Sequence, residues 1–237
     1  MPAHPADHPG PFALVADLDA PRLATADAHH LSRVLRLRSG DPLVLGDGAG
    51  RWRPARFGEP PEPTAPIVVA APEAPEITVG FALVKGDRPE LVVQKLTELG
   101  VDRIIPFRAA RSVVRWDEDR AERAVVRLRA VARAAAQQAH RPWLPQVEEV
   151  ADFDDLLTLP GAALADRSGG PPSLDHRVVL VGPEGGWAPE ESAAAVRASL
   201  PKVAIGLHVL RAETAAVTVG ALLTGLRAGI VTRNLGG

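Results

Sequence analysis

The sequence predicts an α/β protein: a larger C-terminal part with a mostly parallel sheet and helices on both faces, preceded by a small β domain. From residue 73 onward, short apolar runs alternate with helical patterns, which is typical of a parallel sheet covered by helices. Before that point, short strand-like runs alternate with turn residues. Seven prolines within 54–75 interrupt ladders and helices alike and indicate a boundary region. We therefore assign domains to residues 1–72 and 73–237.

The composition narrows the chemistry of the protein. The chain has 237 residues, 46% of them apolar, which is ample for a core, and it lacks cysteine, which excludes disulfides, thiolate metal sites and cysteine nucleophiles. Seven histidines are present, but their spacing does not suit a metal site. The formal charge of −2 means that nucleic-acid binding requires a local basic patch. Because no segment resembles a signal peptide or a bilayer span, we expect a soluble, cytoplasmic protein without membrane contacts.

The N-terminal part reads as short strands joined by turns. Pro42–Leu45 and Arg51–Phe57 flank the glycine-rich segment 46–50, which predicts a hairpin. Residues 29–37 fit either a short helix or an extended segment, and Ile67–Ala71 fits one strand. A small β-barrel or a sandwich accounts best for this pattern.

The C-terminal part alternates strand and helix. Gly100 is placed to end the first helix, because glycine readily adopts the left-handed conformation that follows a helix. The predicted strands cover 77–84, 103–107, 162–165, 177–181 and 202–205, and the predicted helices cover 89–99, 117–140, 190–200 and 213–228.

A glycine-rich segment, Gly182-Pro183-Glu184-Gly185-Gly186, directly follows an apolar strand. Its glycines permit positive φ and leave the backbone open to a ligand. The segment is not a Walker loop, because it lacks the lysine and hydroxyl, and it lacks the spacing of a dinucleotide fingerprint. Alone, it fits a tight strand-to-helix turn equally well.

A second loop, Ile205–Ala215, follows the next apolar strand and leads into the last helix. Glu213 and Thr214 suit any helix start, but Arg211 is unfavourable there unless an anion such as a phosphate or carboxylate lies nearby. Glycine-containing loops at the ends of adjacent strands together form a crevice. That crevice predicts an enzyme with a nucleotide-like cofactor.

The long helix predicted over 117–140 carries most of its arginines on one side. This stripe is either an ordinary solvated face or a surface for RNA docking. Lys85 at a strand end suits an anion, whereas Lys95 and Glu98 could simply pair across one helical turn. The stripe consists of Arg120, Arg123, Arg127, Arg133, Gln137 and Arg141, which Arg108, Arg111 and Arg115 could extend.

These motifs, taken in order, resemble the RsmE family, SPOUT-class methyltransferases that act on N3 of a uridine in 16S (small-subunit) ribosomal RNA. The resemblance covers nearly the whole chain, since His30–Arg36 and Gly40-Asp41 match the family's N-terminal part. The matching motifs are Lys85, Gln94-Lys95, Glu98–Gly100, Arg111-Ser112, Gln138 with Arg141, Gly182–Gly186 and Leu210–Ala215.

The resemblance implies a PUA-like N-terminal barrel that helps to hold RNA, a C-terminal SPOUT domain with a trefoil knot, and a homodimer. It implies S-adenosyl-L-methionine as the cofactor, with ribosomal RNA or the small ribosomal subunit as partner. The implied cofactor-binding residues are Gly182, Pro183, Glu184, Gly185, Gly186, Ile205, Gly206, Leu207, Val209, Leu210 and Arg211. The RNA-binding candidates are Arg33, Arg36, Lys85, Lys95, Arg111, Arg133, Gln138 and Arg141.

Two residues are our candidates for catalysis. Because uridine N3 carries a proton that must leave, a base or a charge that stabilises the uridine anion is needed. Glu184 is assigned to the polar group nearest the chemistry and Arg211 to anion stabilisation. Two other functions stay open, a non-catalytic RNA-binding assembly factor and a SPOUT methyltransferase that acts on transfer RNA.

The chain departs from the family pattern at four positions. Gln137, Ala139 and His208 replace residues that are usually glutamate, small polar and basic, respectively. Ala188 stands where a serine or threonine usually caps the following helix, a loss of about 1 kcal/mol.

Overall fold

The computed structural model describes residues 4–114 and 116–232, so Arg115 lies outside the described residues. The chain forms two compact units. The first comprises the chain up to Glu73 together with Arg133–Leu144, and the second comprises Ala74–Ala132 and the chain from Pro145 onward. The division assigned from sequence, at residues 72 and 73, does not include the segment Arg133–Leu144 in the first domain.

The first unit contains a five-stranded sheet and one short helix, α1 (Thr25–His29). Parallel pairing of β1 with β2 and antiparallel pairing of β2 with β3 form its centre, and β3 also pairs with β4 and β5. The hairpin predicted from the glycine-rich segment is present. The segment 29–37, which fitted either a short helix or an extended segment, is helical as far as Val34, since α1 continues as a π-helical turn over His30–Val34. The strands are β1 (Phe12–Leu14), β2 (Pro42–Gly46), β3 (Arg51–Arg56), β4 (Glu62–Pro63) and β5 (Val68–Val69).

Both faces of this sheet are covered by apolar side chains. Leu43 and Leu45 of β2 pack into one cluster, whereas Val44 packs with the fully buried Trp52 in another. Successive side chains of a strand point to opposite faces, so β2 contributes to both clusters. Because both faces of β2 are buried, its central residues, Leu43, Val44 and Leu45, are all apolar.

The second unit contains a seven-stranded sheet in which every neighbouring pair is parallel. The strand order is β12-β10-β11-β6-β7-β8, and β9 also pairs with β7. This arrangement confirms the predicted α/β fold class. The strands are β6 (Thr78–Ala82), β7 (Arg103–Arg108), β8 (Gln146–Val147), β9 (Ala151–Asp152), β10 (Ala162–Gly170), β11 (Val178–Val181) and β12 (Lys202–Val203). The helices are α2 (Arg88–Glu98), α3 (Glu118–Gln138), α4 (Phe153–Leu156), α5 (Pro189–Arg197) and α6 (Ala212–Arg227).

Helices cover both faces of this sheet. On one face, Val79 and Val179 pack with α2 and α6, and on the other, Leu164 and Leu180 pack with α4 and α5. Strands buried on both faces read as continuous apolar runs, which is why the central strands could be recognised in the sequence. The two-residue strands β8 and β9, which have no such run, were not predicted.

The last helix returns across the sheet. The chain reaches the edge of the sheet at β12, and the next helix, α6, packs against α2 and β6. In the sheet, β10 and β11 lie between β12 and β6. This return brings the segment between β12 and α6 to the ends of β10 and β11. The trefoil knot implied by the resemblance stays a prediction.

Within residues 4–114 and 116–232, no helix is long and apolar enough to cross a membrane. The same residues contain no group of three or more histidine or acidic side chains placed to hold a metal ion.

A buried ion pair fixes the end of α6. Arg227, whose side chain is 3% exposed, pairs with Asp102 and donates a hydrogen bond to the Gly100 carbonyl at 2.8 Å. Asp102 also accepts a hydrogen bond from the Ile77 N–H at 2.9 Å. The pair therefore ties the last helix to the end of α2 and to the start of β6.

We expect Arg227→Ala to lower the free energy of unfolding by about 3–5 kcal/mol, because it leaves the largely buried Asp102 carboxylate without its cation. Urea denaturation followed by circular dichroism measures this change. The control is Arg197→Ala, which removes an exposed arginine from α5 and should change stability by less than about 0.5 kcal/mol. A loss below about 1 kcal/mol for Arg227→Ala would show that the pair does not hold α6 in place.

Candidate active site

Three neighbouring parallel strands, β10, β11 and β12, lie side by side in the second unit's sheet, and residues 165–167 of β10, together with the loops that follow β11 and β12, surround one cavity of about 370 Å³. Loops from adjacent carboxyl ends are the usual ligand site of such sheets. The two glycine loops singled out from the sequence lie here together. The lining comprises Ala165, Asp166, Arg167, Val181, Gly182, Pro183, Glu184, Gly186, Trp187, Ser192, Ile205, Gly206, His208, Val209, Leu210, Ala212 and Ala215.

The glycine segment after β11 makes a tight turn. The Gly186 N–H donates to the Pro183 carbonyl at 2.9 Å, and Gly186 has a φ of 69°, a conformation that favours glycine. A Cβ at Gly182 would lie only 3.0 Å from the Trp187 ring. The turn therefore needs glycine at both ends, for backbone conformation at one and for close packing at the other.

Trp187 forms the apolar floor of this cavity. Its ring stacks on Phe107 with centroids 6.2 Å apart and planes at 6°, and it lies 5.1 Å from Phe153. Its Nε1–H donates to the Ala165 carbonyl at 3.3 Å, which links it to β10. Trp187 was not predicted to have a role in the site, although its position directly after the glycine segment could have indicated one.

A third segment, residues 165–167 within β10, also lines the cavity, and the sequence analysis assigned it no role. The pairing of β10 with β12 shifts register between Ala165 and Gly170, so Asp166 and Arg167 bulge away from the ladder toward the site. Asp166 directly follows the run 162–165 that was predicted as a strand, and this position could have indicated that it lies near the site. A strand that lies between β11 and β12 and runs parallel to both must bring its carboxyl half to the same edge.

Asp166 is a firmly ionised carboxylate. Burial by itself would raise its pKa, but hydrogen bonds from Ser168 and Lys202 and the charge of Lys202 lower the pKa from 3.8 to about 2. The Ser168 N–H lies 2.8 Å and the Lys202 Nζ 2.9 Å from the carboxylate oxygens. Lys202 is the first residue of β12, so the ion pair also connects two of the strands that border the cavity.

Glu184 lines the cavity and is held by an arginine. Its carboxylate lies 3.0 Å from Arg88 Nη1, and Arg88 Nε lies 3.6 Å from the Glu213 carboxylate. Arg88 begins α2, Glu184 follows β11 and Glu213 lies in the first turn of α6. One guanidinium therefore connects three segments of the site, and the sequence analysis did not single it out.

Glu191 forms one half of a capping box at Ala188. Its two carboxylate oxygens accept hydrogen bonds from the N–H groups of Ala188 and Ala110, both at 2.8 Å, and the residue is 7% exposed. Alanine has no acceptor for the N–H groups of the first turn, so only the reciprocal hydrogen bond of the box, from the Ala188 N–H to the carboxylate three residues further on, is made. The same side chain fixes the loop after β7 against the start of α5.

The predicted cofactor residues do not all face the cavity. Gly185, Leu207 and Arg211 lie in the same loops but do not line it. Arg211 is exposed at the N-cap of α6 and has no ion-pair partner among the described residues. The predicted roles of these three residues in cofactor binding and catalysis stay predictions.

Several predicted RNA-binding residues have partners within the chain. Lys95 pairs with Glu98 at 2.8 Å, the alternative left open by the sequence. Arg111 donates to the Gly185 carbonyl at 3.0 Å, and Arg133 pairs with Asp27 at 3.2 Å. Arg33, Arg36 and Gln138 are exposed, Arg141 is partly buried, and Lys85 lines a second cavity that is described below.

Comparison with known families defines the class of this protein. Residues 72–224 match the model of the RNA methyltransferase domain, and residues 23–64 match that of the RNA methyltransferase PUA domain. The fold and the crevice are thus those of an RNA methyltransferase domain preceded by a PUA domain.

Curated relatives narrow this class. The chain is 35% identical over 219 residues to the ribosomal RNA small subunit methyltransferase E of Mycobacterium bovis, covering 83% of each chain. It is 33% identical to the protein of the same name from Synechocystis, over 81% of this chain and 69% of that one. The chain belongs to the ribosomal RNA small subunit methyltransferase E family, as its resemblance to RsmE indicated.

Solved structures agree with this assignment. The ribosomal RNA small subunit methyltransferase E of Neisseria gonorrhoeae, bound to S-adenosyl methionine, superposes with a TM-score of 0.78 at 28% identity, over 91% of this chain and 97% of that one. A Legionella pneumophila protein described as a putative methyltransferase shares the fold with a TM-score of 0.80 at 23% identity, over 92% of this chain and 98% of that one.

The ionised Asp166 predicts a pH-dependent contribution to stability. A carboxyl whose pKa is depressed on folding stabilises the fold above its unfolded pKa of 3.8 and loses that effect as the pH falls toward about 2. After allowance for solvent screening, we expect Asp166→Asn to cost about 1 kcal/mol at neutral pH. The difference from the wild type should shrink between about pH 4 and about pH 2, as measured by urea denaturation.

The matched control is Asp87→Asn, which changes an exposed aspartate at the N-cap of α2 whose side chain makes no capping hydrogen bond. Its effect should stay below about 0.5 kcal/mol at every pH. A pH-independent loss for Asp166→Asn would argue that packing, not charge, is what the substitution removes.

Proposed function

We propose that this protein transfers the methyl group of S-adenosylmethionine to N3 of one uridine in small-subunit ribosomal RNA. The observation that carries the proposal is the meeting of residues 165–167 of β10 with the loops after β11 and β12 around one cavity. Relatives named as ribosomal RNA small subunit methyltransferases, and a structural neighbour solved with S-adenosyl methionine, support the substrate and the cofactor.

The lining of the cavity fits this cofactor. Its volume of about 370 Å³ is within the range of about 300–1,000 Å³ that small-molecule sites usually have. The glycine segments at Gly182 and Gly206 offer open backbone groups, and Ile205 and Leu210 offer apolar surface for a flat base. The ionised Asp166 adds a fixed negative charge, which suits the hydroxyl donors and the positive charge of the cofactor.

The chain's own residues orient the reactants and handle the uridine proton. When bound, S-adenosylmethionine supplies an electrophilic methyl group. Uridine N3 lies on the pairing edge of the base, so the target nucleotide must be unpaired when it enters the site. We assign Glu184, held toward the crevice by Arg88, to acceptance of the N3 proton. Arg211 is assigned to stabilisation of the uridine anion at the start of α6.

The first unit is proposed to hold the RNA that flanks the target. Arg33 and Arg36 lie exposed at the helical turn that follows α1, where they can reach phosphates. We further propose that the protein acts in the cytoplasm on ribosomal RNA or on the small ribosomal subunit.

We also propose that the protein is a homodimer, as the resemblance implies. Leu207 and Val209, beside the cofactor crevice, are 89% and 77% exposed, although they belong to a loop of the active site. A second copy of the chain packed against this loop would remove both side chains from water.

Mass spectrometry of ribosomal RNA from a strain that lacks this protein tests the function directly. We expect one methyluridine to disappear from small-subunit RNA and to return with the wild-type protein. Loss of a methyluridine from transfer RNA instead would reassign the substrate. An unchanged RNA, together with no heat on calorimetric titration of S-adenosylmethionine, would identify a non-catalytic RNA-binding protein.

Glu184→Gln tests the assignment of the proton acceptor. Because the amide cannot accept the proton, kcat should fall by about 10²–10⁴-fold, while the Kd for S-adenosylmethionine stays within about twofold. Single-turnover methylation and calorimetry measure the two quantities. Glu190→Gln, a change at an exposed position in α5, is the control and should leave both unchanged. Full turnover in Glu184→Gln would remove Glu184 from catalysis.

Leu207→Ser tests the dimer. Loss of one apolar side chain from each copy should weaken the dimer by at least about tenfold, measured by light scattering over a dilution series. Val196→Ser, which removes a 73% exposed side chain on α5, should leave the dimer intact. A monomeric wild-type protein at micromolar concentration would contradict the proposal.

A further inference from the structure

A second cavity, of about 510 Å³, lies in the same unit, between the loop after β6 and the first half of α3. Its lining combines four cationic side chains and a tryptophan with only one carboxylate. Neither of the loops that form the cofactor crevice contributes to it. The lining residues are Val84, Lys85, Gly86, Glu90, Val114, Trp116, Arg120, Arg123, Ala124, Arg127 and Leu128.

The charge of this cavity is concentrated and largely uncompensated. Lys85, Arg120 and Arg123 have no ion-pair partner among the residues that the structure describes, whereas Arg127 pairs with Glu90 at 3.0 Å. The whole chain has a formal charge of −2, so this positive cavity is not a consequence of a basic composition. A concave surface with several unpaired cations attracts and concentrates anions.

The arginines converge because of helical spacing. Arg120, Arg123 and Arg127 occur at intervals of three and four residues and therefore share one face of α3. Lys85 approaches the same space from the end of β6, next to Gly86, which has a φ of 71°. Guanidinium groups in this arrangement suit the oxygens of a phosphate, which they can bind in pairs.

Trp116 adds an aromatic surface to the cations. It is half-buried, and its ring makes neither a ring contact nor a hydrogen bond with any other residue that the structure describes. Trp187, by comparison, is stacked within the core and hydrogen-bonded. An accessible indole beside unpaired arginines is a common means of holding a nucleic-acid base together with its phosphate.

The second cavity borders the cofactor crevice through α2. Glu90 lines the second cavity, and two residues before it Arg88 pairs with Glu184, which lines the crevice. Both cavities lie at the carboxyl edge of the parallel sheet, one beyond β6 and the other beyond β10, β11 and β12. A strand of RNA with one base in the crevice therefore has its neighbouring nucleotides close to the second cavity.

We propose that this second cavity binds one nucleotide of single-stranded RNA that adjoins the methylated uridine. The phosphate contacts Arg120, Arg123 and Lys85, and the base stacks on Trp116. This inference rests on the proposed function, since it names a further subsite for the same RNA. The cavity would thus hold the strand while the target base enters the crevice.

Glu90 gives the proposal a test by gain of affinity. Its carboxylate neutralises Arg127 and repels phosphate, so Glu90→Gln should strengthen binding of RNA about two- to fivefold. A substitution that merely disturbed the fold would weaken binding instead. Because the two causes change the affinity for RNA in opposite directions, the measurement distinguishes an electrostatic effect of Glu90→Gln from a disturbed fold.

The experiment measures binding of a single-stranded RNA of about ten nucleotides that contains the target uridine, by anisotropy at several salt concentrations. We expect Arg123→Ala and Trp116→Ala each to raise the Kd about tenfold, with Trp116→Phe partly restoring binding. Arg123→Ala should also reduce the slope of log Kd against log salt concentration by about one, the value expected for the loss of one phosphate contact. The control, Arg197→Ala, removes the same charge from α5 and should leave the Kd unchanged.

Steady-state methylation distinguishes failure of this inference from failure of the proposed function. We expect Arg123→Ala to raise the KM for RNA while kcat and the Kd for S-adenosylmethionine stay within about twofold. If the wild type methylates the RNA and Glu90→Gln, Arg123→Ala and Trp116→Ala all bind it with the wild-type Kd, the subsite is refuted and the function stands. If those variants instead lose only a protein partner of the ribosomal subunit, the cavity is a protein-docking site. If the wild type transfers no methyl group, the function itself fails.

Discussion

The parallel order of β10, β11 and β12 is the constraint on which the site depends. Because the carboxyl halves of neighbouring parallel strands lie at the same edge, the bulged residues of β10 and the loops after β11 and β12 meet around one cavity. Antiparallel pairing of any of these strands would send its loop to the other edge. The buried pair of Arg227 with Asp102 supports this order, because it fixes the C-terminal end of α6, the helix that follows the loop after β12.

Arg88 links the start of α2 to two carboxylates, those of Glu184 and Glu213. Its guanidinium binds the carboxylate of Glu184 and faces that of Glu213, so the start of α2 is fixed to the loop after β11 and to the first turn of α6. Charge-assisted contacts of this kind restrict a side chain to one orientation. Glu184, which lines the crevice, and Glu90, which lines the second cavity, are thus positioned by the same turn of α2.

Much of the fold could be predicted from the sequence, for a physical reason. The central strands are buried on both faces and therefore appear as unbroken apolar runs, and Gly100 marks the end of α2 with a φ of 91°. The edge strands β8 and β9 carry no such run, because two residues suffice to continue the ladder. The return of Arg133 to the first unit depends on a contact with Asp27, which no local pattern encodes.

Residues of the candidate site could be predicted from the sequence where the backbone conformation requires a particular residue type. They could not be predicted where their role depends on contacts with side chains that are distant in sequence. The glycine of the first loop was recognisable because its φ is positive, whereas Asp166, Arg88 and Trp187 acquire their roles only from the partners that the sheet brings to them. The basic stripe on α3 shows the same division. Sequence spacing placed its arginines on one face, but only the fold separates Arg133, which pairs with Asp27, from Arg123, which faces an open cavity. A chain with a net negative charge can thus present one strongly positive surface, and that surface lies beside its crevice.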